Sequence, residues 1–187
     1  MLIGLLGYAG AGKDTVASLL PGFERRAFAD KLRELALKVN PIANPGMYDY
    51  DDERLAELVS RLGWDRAKRD HLEVRTLLQN LGQGAREVLG DTVWIDAVLP
   101  FPIRGMPPTG TYDALDVVVT DVRYRNEAER ILALGGKLCV VVRPGVDPVN
   151  NHASEGYAQW IERFEHSVIL NDGSIDDLKL QVLKLVE

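Results

Sequence analysis

Residues 7–13 read Gly7-Tyr8-Ala9-Gly10-Ala11-Gly12-Lys13, a G-x-x-x-x-G-K spacing. Chemistry of one kind needs these types in this order. Backbone N–H groups of such a loop cradle a β-phosphate, and the lysine reaches the β- and γ-oxygens. Gly7, Gly10 and Gly12 permit the positive φ angles and close backbone approach that the loop requires. With Ala9, Ala11, Lys13, Asp14 and Thr15 they form the expected nucleotide contacts. One position departs from the usual pattern. Where Ser or Thr normally follows the lysine to ligate Mg²⁺, this chain has Asp14, and a hydroxyl comes only at Thr15. A carboxylate is a good hard ligand for Mg²⁺. Asp14 is therefore expected at the metal, directly or through water. Thr15 is expected on a phosphate oxygen and is a candidate for the metal set.

A second constellation follows the apolar run at 115–120: Asp121-Val122-Arg123-Tyr124-Arg125-Asn126-Glu127. An acidic residue at the tip of a buried strand beside a phosphate loop is where P-loop enzymes keep the carboxylate that orients Mg²⁺ and its waters. Asp121 is the candidate. Arg123 and Arg125 offer positive charge for a phosphoryl group in flight.

These groups need a scaffold, and the apolar pattern supplies one. Residues 1–6 read as a buried strand running into the loop, and Val16, Ala17, Leu19 and Leu20 give the helix after it an apolar side. Further strands are expected at 23–28, 115–120, 137–143 and 166–170. The fold class is α/β, a P-loop three-layer sandwich with about five mostly parallel strands and helices on both faces. One domain over 1–187 is expected, with its core in 1–28, 115–143 and 166–187. Residues 29–100 form a helical insertion, and 144–165 a polar, lid-like region. Within the insertion a helix begins near Asp30, a possible N-cap, and 41–50 reads as a surface loop from Pro41, Pro45 and Gly46. Apolar residues recur at helical spacing over 51–62, through Leu55, Leu58, Val59 and Leu62, and over 71–89. Arg75, Gln79 and Arg86 share a face of the second tract, which suits a phosphate and a base together. Residues 92–99 continue as a short helix, and 100–113 is an irregular excursion. Trp64, Trp94, Tyr124, Gln79 and Asn80 could wall a nucleoside base. The turn Asn171-Asp172-Gly173-Ser174 lies at a strand end, so Asn171 and Gly173 can border the base of the donor.

Composition narrows the partners. The net charge of −6 over 187 residues, with no Lys/Arg run, argues against general nucleic-acid binding. Cys139 is the single cysteine, so no disulfide framework or cysteine metal site exists, and it reads as core. No signal peptide or membrane span is visible, so a cytoplasmic protein with small-molecule partners is expected. A homodimer is compatible with all of this.

Taken in order, Gly12-Lys13-Asp14-Thr15, Phe28-Ala29-Asp30-Lys31-Leu32, Leu77-Leu78-Gln79-Asn80-Leu81-Gly82 with Arg86, Asp121 to Glu127, and His152-Ala153-Ser154-Glu155 resemble the phage-type deoxynucleoside monophosphate kinases. The resemblance runs over nearly the whole chain. It implies ATP- and Mg²⁺-dependent conversion of a dNMP to its dNDP. By the same resemblance Arg123 contacts the transferring phosphate, and Asp30, Arg75, Gln79, Arg86 and Glu155 fall at acceptor positions. Proline often follows the Phe-Ala-Asp triplet in that family. Here the residue is Lys31, which could add a phosphate contact. A P-loop kinase for a non-nucleotide acceptor, and an ATPase module with no acceptor, are the alternatives.

Overall fold

Strand β1 (Leu2–Leu6) is buried at all five positions, which only a strand covered on both faces can be. The computed structural model describes residues 1–46, 52–99, 116–147 and 153–186, without the side chains of 153–155. The 100–113 excursion, Leu115, His152 and the side chain of Glu155 lie outside the described residues. Two compact units divide the chain, Met1–Phe28 with Val98–Glu187, and Ala29–Ala97.

The first unit holds a five-stranded parallel sheet. After β1 come helix α1 (Lys13–Ser18) and strand β2 (Glu24–Arg26). The later elements are β5 (Val117–Val119), α7 (Arg125–Ala133), β6 (Lys137–Val142), β7 (Ser167–Leu170) and α8 (Ile175–Val186). The strands lie in the order β2-β5-β1-β6-β7, and every pairing is parallel. Register puts Ile3 beside Val118 and Leu5 beside Cys139. These four share one face with Val16 of α1 and with Leu178 and Val182 of α8 in a single core cluster. The opposite face is closed by α7, whose Ile131 lies over Gly4. Helices on both faces of a parallel sheet make a three-layer sandwich of P-loop NTPase type.

Both sheet edges are blunted. On β2, Glu24 and Arg25 are exposed, and charge on an edge strand discourages pairing with another chain. On β7 the Gln181 amide donates to the Leu170 carbonyl and accepts from its N–H, each at 2.9 Å, occupying that residue's main-chain groups.

Cys139 is fully buried in this core, and burial pushes its thiol up to about 12 from 9.0. In the native protein it should resist alkylation at pH 8 and react only on unfolding, which a mass-resolved labelling series with and without urea would check. Above pH 9 an unfolded chain gains thiolate that the folded one does not, so this residue lowers stability progressively as pH rises toward 12.

The second unit is helical. It contains α2 (Phe28–Val39) from its second residue on, β3 (Ile42–Asn44), β4 (Glu53–Arg54), α3 (Leu55–Leu62), α4 (Trp64–Asp70), α5 (Leu72–Leu89) and α6 (Val93–Asp96). Leu55, Leu58, Ala67 and Val74 form its core with Leu77, Leu78 and Leu81 of α5 packed against them. Part of the stretch read as a surface loop is strand: β3 pairs antiparallel with β4. Only Ala43 of β3 is buried, too little apolar alternation to announce a strand.

Candidate active site

All five strands being parallel, the loops after β1, β2, β5 and β7 leave the sheet from the same end, where α/β folds bind ligands. The loop after β1 is built as its glycines require. Gly7, Gly10 and Gly12 have φ of 141°, 86° and 100°. A Cβ on Gly7 would overlap the Val141 carbonyl of β6, and one on Gly12 would strike the Asn171 amide. Ala11 N–H bonds the Tyr8 carbonyl at 3.1 Å, closing the turn, and Val16 N–H reaches Gly12 O at 2.9 Å, opening α1. Lys13 Nζ donates to the carbonyls of Gly7 at 2.6 Å and Tyr8 at 2.9 Å. Its ammonium is thus held across the loop, on carbonyls it can exchange for phosphate oxygens.

Asn171 is part of this loop's frame. Its Nδ2 donates to Ala11 O at 2.9 Å, and its own N–H bonds Val142 O at 2.7 Å. One side chain therefore ties the end of β7 to the middle of the phosphate loop. Gly173 belongs to the cap of α8, where the Asp177 carboxylate accepts from Ser174 N–H and Oγ–H at 3.0 and 2.6 Å. The Tyr8 ring packs on Tyr157 of the 3₁₀ helix Ala153–Gln159, with centroids 5.1 Å apart. The lid-like segment and the phosphate loop thus share an aromatic contact.

Of the metal candidates, Asp14 and Thr15 are exposed. Asp14 Oδ1 accepts from Arg25 Nε at 3.1 Å, with the Asp14 side chain 78% exposed. A pair so open to water is worth little and gives way easily to a divalent ion. No three His, Cys, Asp or Glu side chains cluster as a self-sufficient metal centre among the described residues. Mg²⁺ at phosphate sites uses one or two carboxylates plus phosphates and waters, and the exposed Asp14 carboxylate fits that donor set. Asp121 stands at the end of β5, and its Oδ1 accepts Phe28 N–H at 2.8 Å. It caps α2, across 93 residues of sequence, and helix α2 begins two residues before Asp30. Asp30 is therefore in the first turn rather than the cap, and accepts from Arg33 at 3.2 Å. Asp121→Ala should cost about 1 kcal/mol as a lost cap. Asp121→Asn keeps an acceptor and should stay within about 0.5 kcal/mol of the parent while losing activity if the carboxylate serves Mg²⁺. Urea midpoints set beside turnover separate the two roles.

After Asp121 the chain is pinned residue by residue. Val122 N–H bonds Leu5 O at 3.2 Å. Glu127 Oε2 then accepts Arg123 N–H at 2.7 Å and Tyr124 N–H at 3.0 Å. Glu127 is 2% exposed. The Arg123 side chain is exposed and has no partner among the described residues. Arg125 is differently engaged: its Nε donates to Glu129 at 2.8 Å, and its guanidinium lies over the Phe164 ring at 5.8 Å. No role for Glu127 is evident from its residue type alone. Its signal was the spacing Tyr124-x-x-Glu127, that of a carboxylate reaching back to a helix start.

In the helical unit Arg75 and Gln79 are exposed on α5. Arg86 Nη1 donates to Asp91 O at 2.9 Å, at the end of the same helix. Lys31 pairs with Glu34 at 2.9 Å. Trp94 is buried, with its indole N–H on Gly82 O at 3.0 Å, so it pins α6 to α5 instead of offering a ring face. Trp64 has the Arg33 guanidinium over it at 5.9 Å.

A parallel sheet with this loop, lysine and strand-end carboxylate defines a P-loop phosphate-binding protein. No protein-family model matches the chain. It is 27% identical over 200 aligned positions, all of this chain and 96% of the relative, to a protein of Acanthamoeba polyphaga mimivirus provisionally described as a deoxynucleotide monophosphate kinase. It is 31% identical over 146 positions to the deoxynucleotide monophosphate kinase of Escherichia phage RB69, covering 75% of this chain and 55% of that protein. Among solved structures, dephospho-CoA kinase from Campylobacter jejuni aligns at TM-score 0.46 and 14% identity over 99% of this chain and 94% of that one. TT1252 from Thermus thermophilus aligns at 0.42 and 19% over 100% and 95%. Those two scores are too low to carry an argument, and the fold stands on the strand order. Loop, sheet and the two viral relatives together support a P-loop phosphotransferase. No helix among the described residues is long and apolar enough to cross a membrane.

Proposed function

We propose that this protein transfers the γ-phosphoryl group of ATP to the phosphate of a deoxynucleoside monophosphate, giving ADP and a dNDP. The observation that carries the reading is the assembled phosphate loop with Lys13 poised on its Gly7 and Tyr8 carbonyls. Similarity to the two viral proteins supports the acceptor class.

Phosphoryl transfer of this kind needs positioning and charge neutralisation rather than a protein nucleophile. A phosphate oxygen of the acceptor attacks the γ-phosphorus, and the bond to the β,γ-bridging oxygen of ATP breaks. Loop N–H groups hold the β-phosphate while Lys13 moves from the two carbonyls to phosphate oxygens. Arg123 meets the charge that develops on the transferring group. Mg²⁺, which Asp14, Thr15 and Asp121 would hold, supplies neutralisation of the β- and γ-oxygens when bound. The 144–165 region serves as a lid against water, which would otherwise compete as acceptor.

Acceptor contacts are assigned to Asp30, Lys31, Arg75, Gln79, Arg86, Arg125 and Glu155, with Arg125 exchanging its exposed Glu129 pair for a phosphate. Arg75→Ala should raise the acceptor KM about tenfold with kcat and the ATP KM little changed. Initial rates over an acceptor series check this. The reading itself is tested by ADP release from ATP and Mg²⁺ against the four common dNMPs, the matching NMPs and a blank. Release that depends on a dNMP, with the dNDP found as product, is expected. Release equal to the blank in every case would sink the nucleotide-kinase reading.

A further inference from the structure

We propose that Glu127 is a positioning residue that fixes the turn from which Arg123 acts. The inference rests on the phosphotransfer reading above. A capping carboxylate ordinarily returns one bond, to the N–H at the helix start. Glu127 makes that bond, to Tyr124 at 3.0 Å, and a shorter one at 2.7 Å to the next residue out, Arg123. Helix α7 needs only the first. The second fixes the backbone of a residue whose own side chain is exposed and has no partner among the described residues.

Burial sharpens the point. An exposed glutamate would cap α7 as well, whereas Glu127 is 2% exposed, and a buried carboxylate is costly unless its oxygens are hydrogen-bonded. With Val122 N–H on Leu5 O and Phe28 N–H on Asp121, the turn is tied into the sheet before Glu127 secures its far side. The N–H groups of 122, 123 and 124 are all committed, and what the turn leaves to solvent is the Arg123 guanidinium. Charge stabilisation by a preorganised group needs no reorganisation as the reaction proceeds, and a frame of this kind provides it.

The test is a double-mutant cycle with Arg123→Ala, Glu127→Met and both together, reading kcat for dNMP-dependent ADP formation beside urea midpoints. Arg123→Ala should lower kcat about 100-fold, and Glu127→Met about tenfold through misplacement of the arginine. With Arg123 already gone, Glu127→Met should cost less than about twofold. Glu127→Gln, which keeps an acceptor of the same reach, should recover most of the loss. Should Glu127→Met fail to fold, Glu127→Asp carries the cycle, because a carboxylate one methylene shorter keeps the charge but cannot hold both the Arg123 and the Tyr124 N–H. Equal losses in the two backgrounds, or no loss with Arg123 present, would overturn the proposal. A parent protein whose ADP release no dNMP stimulates would remove the acceptor reading instead. The cycle is then read on tripolyphosphate affinity by calorimetry, where each change should weaken binding about threefold and the double change no further. Additive losses there, or none, would again overturn the role of Glu127.

Discussion

Lys13→Ala is expected to lower ADP formation in the proposed reaction by about 100- to 1000-fold, because it removes the charge that the proposal assigns to the phosphate oxygens of the transition state. The structure adds a second expectation. Lys13 Nζ donates to Gly7 and Tyr8 carbonyls at 2.6 and 2.9 Å, so the substitution also frees two acceptors of the loop. Both are within reach of water at this half-buried position, and the net stability cost should be about 1 kcal/mol. Turnover and a urea midpoint measured on one preparation distinguish the effects. A midpoint shift large enough to unfold the protein under assay conditions would mean that lost activity reports folding and not phosphate chemistry.

Gly7→Ala should be the most damaging substitution in the loop that leaves every charge in place. The added Cβ would overlap the Val141 carbonyl, a main-chain atom in the centre of the sheet that cannot swing aside. At φ 141° the residue also sits where L side chains rarely go. Strain of about 3 kcal/mol is expected, relieved in part by moving the loop away from β6. Phosphate affinity should fall with it, since the loop N–H groups lose their common focus. Gly10→Ala is the control, because a Cβ there has nothing within 4 Å. Its cost should stay near 1 kcal/mol. Similar urea midpoints and similar tripolyphosphate affinities for the two variants would contradict the packing argument.

The phosphate loop was legible because it is contiguous: strand, loop and helix follow one another within twenty residues, and each glycine stands where the turn needs it. The three inner strands, β1, β5 and β6, were legible for a related reason. Parallel strands buried on both faces are continuous apolar runs, and Val117 to Val119 can hardly be anything else. The short pair β3 and β4 was not, since it buries a single side chain of β3. Aromatic residues misled in a particular way. Trp94 suits a base wall by composition, yet its indole N–H is spent on Gly82 O and its ring is buried.

Contacts between distant segments had no signature at all. Asp121 caps α2, and Asn171 holds the phosphate loop by Ala11 O from 160 residues away. Both look like ordinary strand-end polar residues until the sheet order is known. Arg125, a candidate by type and position equal to Arg123, is engaged by Glu129 and Phe164, which leaves Arg123 as the arginine of the pair open to a ligand. By itself the chain's sequence determined the sheet's inner strands and the loop with its lysine and carboxylates, because those depend on local backbone freedom and on runs of apolar side chains. The tertiary structure alone decided which polar groups serve the frame and which face solvent, because a hydrogen bond between residues far apart in sequence depends on strand order and register.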